Sequence, residues 1–258
     1  MTDRPKTEIL VRIQALARMD RVAKDNEKEE KKESNYLVRA FVAFFLVAII
    51  SNIFQNAIYP FTMFQSFWTT RGNVESWLLD GYPMLAWGIC ATMMLWLFKP
   101  KPETTAPDEN KIFWGGLLVS TRAGIVEEIC FRWLIFLNCL WGAKLGNLLL
   151  CGFPEWLYMH FFGPIANFFT FDLMQEHLYH PASSWAVGTS ILSANAAFRN
   201  GHKYQGLLGI INSWYIGMFL FWLMFRYGLV AAIFIHFLYD FLIFTSVALA
   251  FMLRRKLS

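Results

Sequence analysis

Apolar residues run along this chain in long blocks separated by short clusters of Lys, Arg, Asp, Glu, Pro and Gly. Roughly 20 apolar residues in a helix cross the hydrocarbon of a bilayer. On that measure spans are predicted near 36–59, 82–98, 112–141, 184–201, 205–225 and 228–252. Between the third and fourth, the stretch 142–183 is apolar but broken by Gly152, Pro154, Gly163, Pro164 and Pro181. It reads as re-entrant, interfacial or one further crossing. The pattern predicts an all-α, polytopic bundle of six to eight membrane helices.

The first 35 residues depart from this pattern, holding nine Lys/Arg and eight Asp/Glu. The chain therefore divides into a charged tail and linker, 1–35, and a membrane domain, 36–258. Within the tail, Ile9, Ile13, Leu16 and Ala23 recur at helical spacing among Arg12, Arg18 and Arg21. An amphipathic helix on the cytoplasmic membrane face and a merely solvated helix both fit. A charged linker, "KDNEKEEKKES", follows. The tail lacks the apolar core of a secretory signal, and its acidic content argues against a mitochondrial transit peptide. Lys99, Lys101 and Lys111 in one loop and Arg254, Arg255 and Lys256 at the end should share the tail's cytoplasmic side. That requires an even number of crossings, which six spans satisfy. The expectation is a multi-pass integral membrane protein with both termini in the cytoplasm.

Composition agrees: 56% of the 258 residues are hydrophobic and mean hydropathy is positive, on the membrane side of the globular range. The net charge of +4 comes without a basic patch interleaved with aromatics, so no nucleic-acid partner is expected. Cys90, Cys130, Cys139 and Cys151 lack metal-type spacing and read as buried hydrophobes.

Ionisable residues at membrane depth are unfavourable and usually mark function. Three clusters of them interrupt the apolar blocks. In "EEICFR", Glu128 and Arg132 are four apart and can pair along one helix face, the acid N-terminal to the base. Glu127 points about 100° away, without that partner. A purely structural buried network is the competing explanation. In "FRNGHKYQG", a helix breaks at Gly201 and His202 emerges among polar residues, as it also would in an ordinary interfacial loop. In "HFLYD", His236 and Asp240 are four apart in the last span. At about 1.5 Å per residue, Glu127 lies roughly 22 Å from the cytoplasmic start of its span and His236 roughly 12 Å from the opposite end, similar depths. A straight helix from residue 184 would carry His202 to the cytoplasmic surface. To join the others it needs a sunken or tilted helix, or a fold of "RNGHKYQG" into a polar cavity.

The order EExxxR, FxxxH, HxxxN/D on membrane helices resembles the CPBP family, which includes CAAX prenyl endopeptidases and bacterial bacteriocin-processing and self-immunity proteins. The motifs stand here as Glu127, Glu128 and Arg132; Phe198 and His202; His236 and Asp240; "HKYQGLLG" also matches the family's usual continuation. The similarity covers 112–245. It implies an intramembrane endopeptidase acting on a peptide or membrane-protein substrate in contact with lipid. Glu127 with His202 would activate a water, His236 and Asp240 would hold the water or the oxyanion, and Glu128 with Arg132 would form a supporting ion pair. A buried carboxylate suits a general base, and imidazoles can stabilise a tetrahedral intermediate. The resemblance favours a cofactor-free mechanism; the alternative places zinc on His202, His236 and Glu127.

Two features depart from the family. Position 240 is Asp where the eukaryotic CAAX enzymes have Asn, and the gap from Arg132 to Phe198 is long. The insertion carries "FDLMQEHLYH", where Asp172, Glu176 and His180 are spaced by four and His177 precedes His180 by three. An amphipathic interfacial helix explains this run better than a second metal site. The insertion, like the N-terminal helix, is a candidate docking element for a partner. Other intramembrane proteases fit poorly: the chain has no HExxH or GxGD signature, and no GxSx nucleophile signature pairs with a histidine. A non-catalytic scaffold or immunity protein, or a proton-coupled transporter using the same residues, is the rival reading. Transporters more often show inverted repeats, and none is evident.

Overall fold

The computed structural model describes residues 65–98, 109–178 and 184–257, with helical positions at Arg39, Val42, Phe45, Leu46 and Ile49. The expected N-terminal amphipathic helix, the charged linker, most of the 36–59 span, Lys99, Lys101 and His180 lie outside the described residues. The chain forms two compact units, Met1–Leu46 and Val47–Ser258, and the second carries every motif residue.

All described secondary structure is helical. In order come α1 (Gln65–Trp68), α2 (Val74–Phe98) and α3 (Glu109–Glu127), a π-helical segment (Glu128–Ile135), then α4 (Phe136–Leu149) and α5 (Phe153–Leu157). A second π turn (Tyr158–Phe162) leads into α6 (Gly163–Phe169), followed by α7 (Gln175–Leu178), α8 (Ser184–Gly201), a 3-10 turn (Lys203–Gln205), α9 (Gly206–Tyr227) and α10 (Leu229–Leu257).

Among the described residues, two stretches are long and apolar enough to cross a membrane, Lys203–Tyr227 and Leu229–Leu249. A third candidate is a bent pair, Phe113–Leu149 with Phe153–Phe169, turned by 113° at its break. The described residues thus give two or three candidate spans of the six to eight expected, and most of the expected 36–59 span lies outside them. Helices do form at the expected 82–98 and 184–201. α2 starts earlier, at Val74, and α8 dilutes its apolar residues with Ser184, Thr189, Ser190, Ser193 and Asn195.

Glycines set how closely α10 is packed. A Cβ on Gly81 or Gly88 of α2 would lie 2.7 Å from Ile235 or Tyr239. One on Gly116 would lie 2.5 Å from Phe244 Cβ, and one on Gly124 3.0 Å from the Ile233 carbonyl oxygen. Small residues let membrane helices approach backbone to backbone. Here they seat α10 between α2 and α3, with Trp87 donating to Asn212 and Asn212 donating to Tyr239 to tie in α9.

The turn joining α9 and α10 is held from outside. Gly228 adopts a φ of 101°, and a Cβ there would meet the Thr69 carbonyl oxygen at 2.5 Å. Arg71 donates its backbone N–H to Tyr227 O and its guanidinium to Phe225 O, while the Tyr227 hydroxyl donates to Asp80.

The insertion turns back sharply after α4 through Cys151 and Gly152, both at positive φ. Within the insertion the Tyr158 hydroxyl donates to Leu178 O at 2.7 Å, and the Tyr158 ring packs on α8 at Gly188, which leaves room for it. The expected amphipathic helix over 172–180 does not form in the described part. Phe171 and Asp172 both take positive φ, which a helix cannot accommodate, so only Gln175–Leu178 is helical.

Candidate functional site

The first cluster sits where α3 widens into a π helix at Glu128. Such widened turns occur often at functional sites. Glu128 and Arg132 are both 0% exposed, and Arg132 Nη1 lies 3.0 Å from Glu128 Oε1, the pairing their spacing predicts. The same Glu128 oxygen also accepts from His236 Nδ1 at 2.7 Å. Spacing alone paired His236 with Asp240. The structure instead directs the ring's hydrogen bond across helices to Glu128 and leaves Nε2 3.7 Å from Asp240 Oδ2.

Glu127 has a different fate. Its Oε2 is buried without a hydrogen-bond partner among the described residues. It nevertheless lies within electrostatic reach of Arg132 and Asp240. Glu128 Oε2 is likewise buried without a hydrogen-bond partner among the described residues, so the two adjacent acids differ in that Glu128 engages Arg132 and His236 through Oε1 and Glu127 engages neither.

Phe198 joins the clusters. Buried at 2% exposure, it stacks under the Arg132 guanidinium, whose carbon lies 4.1 Å from the ring centroid, while Phe221 lies 5.5 Å from the same cation. A desolvated guanidinium over an aromatic face gains cation–π attraction, which partly offsets its burial. The Phe198 ring is 6.2 Å from the His236 ring and 4.7 Å from the His202 ring. The last turns of α8 therefore end beside the middle of α10. His202 lies within electrostatic reach of Asp240 and donates Nδ1–H to Phe198 O at 2.9 Å. The structure brings all four candidate residues, Glu127, His202, His236 and Asp240, around one region.

With both Nδ1 atoms committed to acceptors, a neutral ring at His202 or His236 would leave its Nε2 lone pair free to accept. That lone pair can accept a hydrogen bond from water. A metal would need three ligands converging, and no group of three His, Cys, Asp or Glu side chains among the described residues is placed to hold one. The zinc set His202, His236 and Glu127 does not fit this arrangement. The four cysteines are all free thiols.

Spacing did not reveal Phe221, the glycines that seat α10, or Ser120. Their signal was present in part: Gly116, Ser120, Ala123 and Glu127 form a stripe of small residues leading along one face of α3 to the acid. No family model, curated protein or solved structure matches the chain.

Proposed function

We propose that this chain is a multi-pass membrane endopeptidase with both termini in the cytoplasm, which hydrolyses a peptide bond of a membrane-associated, prenylated or peptide substrate with a water activated by Glu127. One observation carries the reading: Glu128 engages both Arg132 and His236 through Oε1, while the neighbouring Glu127 makes no ion pair or hydrogen bond among the described residues and keeps a buried oxygen within reach of Asp240. A network built for stability alone would pair both acids.

In the proposed step, the water oxygen bonds to the scissile carbonyl carbon as Glu127 takes one of its protons. The water's second O–H is oriented by donating to the Nε2 lone pair of His202 or His236, and His236 is kept in that tautomer by Glu128. Collapse of the tetrahedral intermediate breaks the C–N bond, and the proton on Glu127 passes to the leaving amine. Asp240 borders the same region and fixes the polarity around His236 Nε2. The resemblance to the CPBP motifs supports the same assignment, although position 240 differs from the eukaryotic pattern.

The test uses purified protein in detergent and in liposomes with a library of membrane-inserted and lipidated peptides. Mass spectrometry should find new termini with the wild type, and Glu127→Gln should retain uncut substrate. Proton or solute flux without any cleavage would point instead to the transporter reading, and binding alone to a scaffold.

A further inference from the structure

Hydroxyls on apolar helices commonly turn back to the carbonyl one turn earlier. Thr92, Thr121, Thr170 and Ser190 do so, donating to Gly88, Leu117, Ala166 and Ala186 at 2.6–3.0 Å. Ser120 of α3 does not. It is 0% exposed, and its Oγ has no hydrogen-bond partner among the described residues.

Its position gives that hydroxyl a purpose. Gly116 faces Phe244 and Gly124 faces Ile233 and Phe237, so the antiparallel register of α3 and α10 brings Ser120, midway, level with Asp240. Ser120 and Glu127 are seven residues apart and share a helix face, about 10.5 Å along the axis. The Glu127 side chain leans toward the N-terminus of its helix, over Ala123 and toward Ser120. Two buried, unpartnered oxygens, Ser120 Oγ and Glu127 Oε2, thus lie on one stripe, with the Asp240 carboxylate, 24% exposed, flanking it. Buried polar groups of this kind are ordinarily bridged by ordered water with two to four partners. In hydrocarbon the unpaired alternative is strongly disfavoured.

We infer that Ser120, Glu127 and Asp240 share a buried water-binding site between α3 and α10, with Ser120 as a positioning residue that holds water for Glu127. The catalytic part of this inference rests on Glu127 being the base. The water site itself is open to a test that needs no catalysis.

That test is a thermal-melting cycle of the full chain in one detergent: wild type, Ser120→Ala, Asp240→Ala and the double variant. A shared water predicts that Ser120→Ala lowers Tm by about 2–4 °C, the loss of one bridged hydrogen bond. It also predicts that the double variant loses less than the sum of the single losses. A dry hydroxyl predicts the reverse, an unchanged or raised Tm for Ser120→Ala, and this result or strict additivity would overturn the site. In the peptide-cleavage assay Ser120→Ala should lower kcat and leave KM in place; an unchanged kcat would overturn the positioning role. A wild type that cleaves nothing defeats the protease reading alone, and the melting cycle still decides the water site.

Discussion

Arg132 is the residue on which the buried network depends most. Its guanidinium is 0% exposed, paired with Glu128 and sandwiched between Phe198 and Phe221. Arg132→Met keeps much of the volume but leaves a buried carboxylate with only His236. Removing one partner of a buried pair costs about 3–5 kcal/mol. For a chain of this size that means a fall in Tm of order 10 °C, read by thermal melting in detergent. The Glu128–Arg132 pair was legible in the sequence because it depends on spacing four along one helix. The His236–Glu128 bond was not, because it joins residues 108 apart and depends on how α10 is rotated against α3. Glu127 stood out by elimination at both levels: spacing denied it Arg132, and packing gave it no substitute.

At the scale of elements, the position of α10 decides whether the site assembles. Gly124 is the tightest backbone contact with α10 on the α3 side, so Gly124→Ala should push α10 outward and carry His236 from Glu128. The expected stability loss is about 1–3 kcal/mol. A misplacement of about 1 Å at a reacting centre costs about a hundredfold in rate, so the few tenths of an ångström a Cβ demands here should lower turnover by less, read by peptide cleavage beside Tm. The insertion carries a separate, pH-dependent contribution. His177 stacks on Phe225 with ring centroids 4.2 Å apart, and burial holds its imidazole below the usual 6.5, opposed in part by Glu176. The folded state resists protonation there and the unfolded chain does not. The resulting sign is a stability fully present above pH 6.5 and lost as pH falls below it. Melting temperatures between pH 7.5 and 5.5 should show that loss in the wild type and less of it in His177→Phe. Hydrophobic runs revealed that helices form at 82–98, 112–141, 184–201, 205–225 and 228–252. They did not reveal the π segment, since widening a turn by one residue leaves an apolar run unchanged. Nor did they reveal the break at Phe171 and Asp172: Asp is a residue type enriched at positive φ, but the bulky Phe171 rarely takes it, and the apolar pattern carries no signal of either.

For the whole molecule, the charge pattern, the apolar helices and the buried ionisable cluster point the same way. The described part holds two or three candidate spans. His202, the one motif residue that linear counting placed too near the surface, is brought near His236 by tertiary packing: α8 ends beside α10, where the Phe198 ring lies 4.7 Å from the His202 ring and 6.2 Å from the His236 ring. The central claim is that the two adjacent acids divide their work, Glu128 holding the network and Glu127 moving the proton. The most direct test measures cleavage rate and Tm together for wild type, Glu127→Gln and Glu128→Gln. The account predicts that Glu127→Gln loses at least about a hundredfold in rate with Tm unchanged, the loss of a general base, while Glu128→Gln loses stability. Full cleavage by Glu127→Gln would contradict it.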